Sequence, residues 1–358
     1  PAPALARKPT ATGKTWPAPP RPPLSKPTSA ELSASVGQHH DGILTGERTD
    51  NPDAPIIVGT TDILRNQLYD AMHRGQLLAT DFVVLDEAHF LGDPDRGVVW
   101  EEVMIYLPER IPLLMLSATI GNADQIASWL SSIRSSRCIV IKETKRPVPL
   151  IPIFLHPSGT LLPLTEHAKK AGKESLSKKV NNFLKAKHKK QRRLSRDLPP
   201  FDQVLNVLRK FHLLPALFFL KSRADCDRAL ELCRVGLQIE PDRKARLKER
   251  IEPYTYQSHH IFSHRQRWFL ENLAIGSHHA GQLPAWKLIL EQLMSEGLLD
   301  AVFATSTVAA GVNFPARTVV FLKSDRFNGS EFLPLDATEF HQMTGRAGRR
   351  GMDNIGFA

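Results

Sequence analysis

Phe82-Val83-Val84-Leu85-Asp86-Glu87-Ala88-His89 is the stretch on which the reading of the fold turns. Four apolar residues of strand type run straight into two carboxylates. That order sets the acids at the carboxyl end of a buried strand, where open α/β sheets bind their ligands. Asp86 is placed to hold a magnesium shell, and Glu87 to orient and deprotonate an attacking water. Taken alone, the pair also suits a surface Asp-Glu step that merely ends a strand.

Outward from this stretch, short apolar runs alternate with helical patterns, as βα units require. The runs predict strands at Pro55–Val58, Phe82–Leu85, Leu113–Leu116, Cys138–Ile141, Ala216–Leu220, Ala301–Ala304 and Thr318–Leu322. Their unbroken apolar character predicts parallel sheets covered by helices on both faces. Four regions follow: a proline-rich part over 1–42, a first α/β domain over 43–150, a basic linker over 151–200 and a second α/β domain over 201–358. Between 168 and 200 lysines and arginines crowd together. A solvated linker and a phosphate-contacting arm both fit that composition.

Near the start, Thr10-Ala11-Thr12-Gly13-Lys14-Thr15 ends in the Gly-Lys-Thr of a P-loop. There Gly13 would allow close approach to phosphate, Lys14 would supply charge and Thr15 a magnesium ligand. A helix should follow at once and lend its N-terminus to the phosphates. Instead Trp16-Pro17-Ala18-Pro19-Pro20 follows, and interior prolines cost a helix about 3 kcal/mol each.

Near the other end, Asp336-Ala337-Thr338-Glu339 has the spacing of a capping box and predicts a helix start. Continued as a helix, Gln342, Gly345, Arg346 and Arg349 share one face, while Phe340, Met343 and Ala347 share another suited to the core. Glycines flank the arginines in Gly345-Arg346-Ala347-Gly348-Arg349-Arg350-Gly351, at a cost of about 1 kcal/mol each inside a helix. Approach of backbone and guanidinium to a phosphate is one reason to carry them. A solvated arginine face is the plainer alternative.

The 358 residues are 42% hydrophobic and 23% charged, with a formal charge of +10. This balance suits a globular protein with a polyanionic partner. No apolar stretch approaches the roughly 20 residues that cross a bilayer, and no signal core opens the chain, so a cytoplasmic location is expected. Cys138, Cys226 and Cys233 lack zinc-ligand spacing and predict reduced, packed thiols. The histidine pairs His39-His40, His259-His260 and His278-His279 have no second ligand set at metal spacing. Trp100, Trp129, Trp268 and Trp286 predict core positions. Asn122 to Gln125 predicts a capping box, and Asp242–Arg250 a solvated helical face.

Together these segments resemble the superfamily-two DExH-box helicases, and among them the exosome-associated superkiller-type RNA helicases and their bacterial relatives. Thr10–Thr15 resembles motif I. Thr45-Gly46 and Thr60-Thr61-Asp62-Ile63-Leu64-Arg65-Asn66 resemble strand-contacting motifs, Asp86–His89 motif II and Ser117-Ala118-Thr119 motif III. Phe218–Arg223 resembles motif IV, His278-His279-Ala280-Gly281 the next family element, Ala304–Pro315 motif V and Gln342–Gly351 motif VI.

The resemblance implies two RecA-like domains of the P-loop NTPase class, with parallel sheets flanked by helices, using ATP and magnesium. Glu87, Asp86, His89, Gln342, Arg346 and Arg349 would be catalytic. Gly13, Lys14, Thr15 and Gly311 would bind the nucleotide. Thr15 and Asp86 would hold magnesium. Thr60, Arg65, Arg223 and Thr305 would contact the strand, and Ser117, Thr119 and Thr307 would couple hydrolysis to its movement. Single-stranded or structured RNA is the expected partner, with DNA possible, no membrane and a monomeric state. The Gly-Arg-Arg-Gly ending of motif VI is more like the RNA-directed branch. Family members continue into winged-helix and ratchet domains, so the chain reads as a motor-core fragment. A DNA motor and a non-catalytic strand-binding remnant are the rival readings.

Overall fold

The first sheet is laid down by β1 (Lys14–Ala18), β2 (Asp41–Leu44), β3 (Thr49–Asp50), β4 (Ile56–Gly59), β5 (Thr80–Leu85) and β6 (Leu113–Met115), in the order β3-β2-β4-β1-β5-β6. Every pairing is parallel except the β2–β3 hairpin. The computed structural model describes residues 14–18, 40–46, 49–93, 97–117, 120–167, 174–190, 199–305, 314–323, 325–327 and 332–358. By its internal contacts the chain divides into two compact units, Pro1–Glu143 and Thr144–Ala358.

In the first unit, helices α1 (Thr61–His73), α2 (Gly97–Tyr106) and α3 (Ala123–Ile133) accompany the sheet. Leu64 and Leu68 of α1, Trp100, Val103 and Met104 of α2 and Leu130 of α3 join Val83 and Leu85 in one buried cluster. Burying such side chains is the main favourable term of folding, about 1.5–3 kcal/mol each. It leaves Val83, Val84 and Leu85 of β5 enclosed, up to the residue before Asp86.

The second sheet takes β7 (Leu150–Ile151), β12 (Ala216–Leu220), β13 (Ile275–His278), β14 (Ala301–Thr305), β15 (Thr318–Phe321) and β18 (Gly356–Phe357), all parallel, in the order β13-β14-β12-β15-β18-β7. Side chains alternate across a strand, so an unbroken apolar run feeds two cores. Ala216, Phe218 and Leu220 enter the cluster of Phe201, Ala301 and Phe303. Leu217 and Phe219 enter that of Trp286, Leu290, Val302 and Ala304. Hairpins β8 (Ile153–Leu155)–β9 (Leu161–Pro163), β10 (Thr165–His167)–β11 (Glu174–Leu176) and β16 (Asp325–Phe327)–β17 (Phe332–Pro334) stand outside the sheet.

Helices of this unit are α4 (Lys178–Lys190), α5 (Phe201–Lys210), α6 (Arg223–Leu232), α7 (Pro241–Gln257), α8 (His259–Phe262), α9 (Arg267–Leu273), α10 (Pro284–Ser295) and α11 (Ala337–Gly345). The region 151–200, expected as a basic linker, thus contains two hairpins and a helix. Val180 of α4 is buried, and Phe183 packs its ring against Phe154 and His156.

Five local expectations are corrected. Cys138–Ile141 forms no strand: no strand among the described residues pairs with it, the Cys138 N–H donates to Ser131 Oγ at 2.9 Å, and Ile139 and Ile141 face water. Asn122 caps α3 through its backbone carbonyl, which accepts from Gln125 and Ile126, and its side chain makes no cap bond. Trp268 is 43% exposed, because it lies on the outer face of α9 with the Arg234 guanidinium over its ring at 5.2 Å. Finally, α11 stops at Gly345, since Gly348 turns left-handed at φ +81°. Arg349 therefore lies beyond the helix and shares no helical face with Gln342. Phe340, assigned to the core face, is also 45% exposed, whereas Met343 and Ala347 are buried.

Candidate active site and strand-contact residues

Asp86 leaves β5 directly after Leu85, whose backbone carbonyl accepts from Leu116 at 2.9 Å. Ala88 donates in turn to the Leu116 carbonyl at 2.8 Å, so the end of β6 clamps the acidic turn on both sides. Within that clamp Glu87 adopts φ 60°, ψ 41° and caps the short 3-10 turn Ala88–Gly92. A non-glycine residue there stores strain, a feature that clusters at functional sites. The Asp86 carboxylate accepts the Glu87 N–H at 2.9 Å, and Glu87 Oε2 lies 3.2 Å from His89 Nδ1.

Burial, and after it the adjacent charge of Glu87, raises the Asp86 pKa, against the lowering effect of that N–H bond. A half-buried carboxylate that resists ionisation beside another is stabilised by a divalent cation. This side of the site fits magnesium carried by a nucleotide.

Lys14 and Thr15 stand apart from it. In the parallel register Lys14 pairs with Thr80 and Ala18 with Leu85. Lys14 and Thr15 therefore start β1 at the amino end of the sheet, about 20 Å short of Asp86 at roughly 3.3 Å per residue. Gly13 lies outside the described residues, as do Thr119, Thr307 and Gly311.

At the start of α1, the carbonyl of Thr60 accepts from Ile63 and Leu64, while its hydroxyl is buried with no hydrogen-bond partner among the described residues. Arg65 reaches Asn66 and Glu102. Ser117 is exposed just past β6. In the second unit, Thr305 ends β14 and Arg223 opens α6, exposed, behind Ser222 whose hydroxyl accepts from Asp225 at 3.1 Å.

The predicted capping box is present: Asp336 accepts from the Glu339 N–H at 2.7 Å, and Glu339 accepts from that of Asp336 at 3.2 Å. Gln342 lies within α11 and Arg346 is its C-cap, whose carbonyl accepts from Ala316. Arg349 forms a two-pronged pair with Asp353, at 2.8 and 2.9 Å. Burial alone would raise the Asp353 pKa; the hydrogen bonds from Arg349 outweigh it and hold the carboxyl below the usual range.

Two partners were missed in sequence. Asp353 is one. Arg146 is the other: its guanidinium donates to the carbonyls of Thr344, Gly345 and Ala347, the last at 2.8 Å, and so caps α11. Nothing local marks a residue that serves a helix some 200 positions away.

The family model for the DEAD/DEAH box helicases matches residues 24–126, a stretch that includes Thr60, Arg65, Asp86 and Glu87. The chain is 37% identical to "Probable helicase HelY" of Mycobacterium tuberculosis over 94% of its own length and 39% of the relative's. It is 33% identical to the human "Exosome RNA helicase MTR4" over 88% of this chain and 31% of that protein. It is 35% identical to the human "Superkiller complex protein 2" over 88% and 27% respectively. The chain thus spans well under half the length of these relatives. No helix among the described residues is long and apolar enough to cross a membrane. An acidic pair at the carboxyl end of a parallel strand and helicases similar across most of the chain agree: the chain carries a DEAD/DEAH box helicase domain.

Proposed function

We propose that this chain is the ATP-hydrolysing motor core of an RNA helicase, acting as a monomer in the cytoplasm. The observation that carries the reading is the carboxylate pair on β5, with Glu87 held in a left-handed turn against His89. The relatives named as RNA helicases support RNA as the strand, and the charge of +10 supports a polyanion.

In this reading Asp86 would hold magnesium, whose charge would offset that on the transferred phosphoryl group. Glu87 accepts the proton of the attacking water at its carboxylate, and His89 fixes the direction of that carboxylate. Arg346 and Arg349 serve the phosphates; Arg349 does so by leaving Asp353 or through the donor that Asp353 does not use. Gln342 supports the same chemistry, and Ser117 couples it to the strand. Arg65, Arg223 and Thr305 hold the strand backbone. The enclosed hydroxyl of Thr60 reaches the strand only if the start of α1 moves. Phosphate binding by Lys14 and Thr15 requires them to leave the β1 register, so no step is routed through them or through Gly13.

Steady-state ATP turnover with and without single-stranded RNA tests the proposal. RNA-stimulated turnover that is lost in Glu87→Gln is expected. Equal stimulation by a matched DNA strand would make the motor indifferent to the sugar. Strand binding with no turnover at all would overturn the motor and leave a binding remnant.

A further inference from the structure

Asp227 lies one turn into α6, the helix opened by Arg223, and its carboxylate gathers donors from three other segments. Oδ1 lies 3.1 Å from His279 Nε2 and accepts from Ser277 Oγ at 2.9 Å, Gln266 Nε2 at 2.9 Å and Gln282 Nε2 at 3.5 Å. Oδ2 pairs with Arg265. Ser277, His279, Gln266 and Gln282 are all buried. The glutamine carbonyl of Gln266 accepts in turn from Ser277 N and Trp286 Nε1, so the network is satisfied on its far side too.

The tautomer of His279 follows from its neighbours. Its Nδ1 accepts the Gly281 N–H at 3.1 Å, which assigns the hydrogen to Nε2, 3.1 Å from Asp227 Oδ1 and 3.1 Å from the Gln282 amide nitrogen. One imidazole thereby ties the turn after β13 to α6. The tip of that turn, Ala280 and Gly281, remains exposed. A Cβ on Gly281 would lie 3.5 Å from Arg223 Cδ, so the backbone of the turn lies against the exposed arginine. Burial alone would raise the Asp227 pKa, but the bonds from His279 and Ser277 outweigh it. An apolar filling is often as stable as a buried charged network, which leaves direction as the distinctive contribution of such a network.

We propose that Asp227 is a positioning residue for strand binding: it locks the His278–Gly281 turn against α6 and so presents Arg223 to a phosphate of the nucleic-acid strand. This rests on the strand-contact role proposed above for Arg223. Ser277, Gln266 and Gln282 complete the lock.

The test compares the whole chain with Asp227→Asn, Ser277→Ala, Arg223→Ala and the Arg223→Ala/Asp227→Asn double variant. Binding of a labelled single-stranded RNA is measured across salt concentrations, with ATPase kinetics and thermal melting beside it. Asp227→Asn is expected to raise the RNA dissociation constant about tenfold, the scale of one lost hydrogen bond to a charged group. Its KM for RNA rises while kcat at saturating RNA stays within about twofold, since the chemistry is untouched. The salt slope falls as in Arg223→Ala, and the double variant binds no more weakly than Arg223→Ala. Where Asp227→Asn fails to fold, Ser277→Ala carries the same expectation at smaller amplitude. If Arg223→Ala weakens binding while Asp227→Asn and Ser277→Ala leave RNA affinity intact, the positioning role is overturned and the strand role of Arg223 survives. Unchanged affinity in Arg223→Ala overturns both.

Discussion

Glu87 Oε2 lies 3.2 Å from His89 Nδ1, and the two meet only because Glu87 turns through a left-handed conformation as the chain leaves β5. The strain and the contact are one feature. A relaxed, extended Glu87 would carry its carboxylate away from the imidazole.

Glu87→Gln is therefore expected to lower ATP turnover by roughly a thousandfold, the scale of a lost general base, with an unchanged melting temperature. Glu87→Gly should abolish turnover equally while raising stability by up to about 1 kcal/mol, because glycine takes the left-handed turn without cost. Turnover assays and melting curves on the two variants check this. A destabilised glycine variant would count against stored strain.

The glycines of the Gln342–Gly351 segment separate by role. At Gly348, with φ +81°, a Cβ would meet Val148 Cγ1 at 2.6 Å and the Gly356 backbone at 3.2 Å. Gly348→Ala should destabilise by about 1–3 kcal/mol. At Gly345 a Cβ meets nothing within 4 Å. Gly345→Ala should stabilise by up to about 1 kcal/mol. A loss of turnover in that stabilised variant would show that Gly345 is kept for approach to a ligand.

Arg146→Ala should lower stability by about 1–2 kcal/mol, since three carbonyls at the end of α11 lose a charged donor. Turnover should fall as well, because those carbonyls flank Arg346. Arg146→Lys should rescue little: a single ammonium cannot span the positions that the guanidinium fork reaches. Chemical denaturation and ATPase kinetics on the pair provide the check.

His278 is buried, 3.2 Å from Glu291 and edge-on to the ring of Phe314, with Lys287 and His279 as the other titratable groups that act on it. Burial lowers its pKa more than the Glu291 hydrogen bond raises it. The neutral ring is thus favoured in the fold. Its contribution to stability is complete above the ordinary histidine value of about 6.5 and is lost as pH falls below it. Burial lowers the pKa of His264 too, despite its bond to Gln282. Melting temperature should fall from pH 6.5 downward, and less steeply in His278→Asn. Equal slopes in the two proteins would remove His278 as the cause.

Legibility in the sequence followed the range of the interaction. Strand β5 and its carboxylates were readable because four consecutive apolar residues must be covered on both faces. The capping box at Asp336 was readable for the same local reason, with all its partners within three residues. By contrast, β13 reads Ile-Gly-Ser-His and carries no apolar run. Ser277 and His278 are buried with Asp227 and Glu291 as distant polar partners. The β1 register and the end of α11 were equally hidden.

By itself the sequence determined two α/β units, the acids at the end of β5 and the order of the helicase segments. Hydrophobic periodicity and adjacent chemistry are local, and they survive without knowledge of any distant partner. Only the tertiary structure decided that Arg349 rests on Asp353 beyond the helix, that Arg146 caps α11, that Lys14 starts its strand far from Asp86 and that Asp227 gathers the His279 turn. Each of those depends on groups that meet across a turn, a sheet or some 200 residues of chain, where direction and distance are set by packing rather than by spacing.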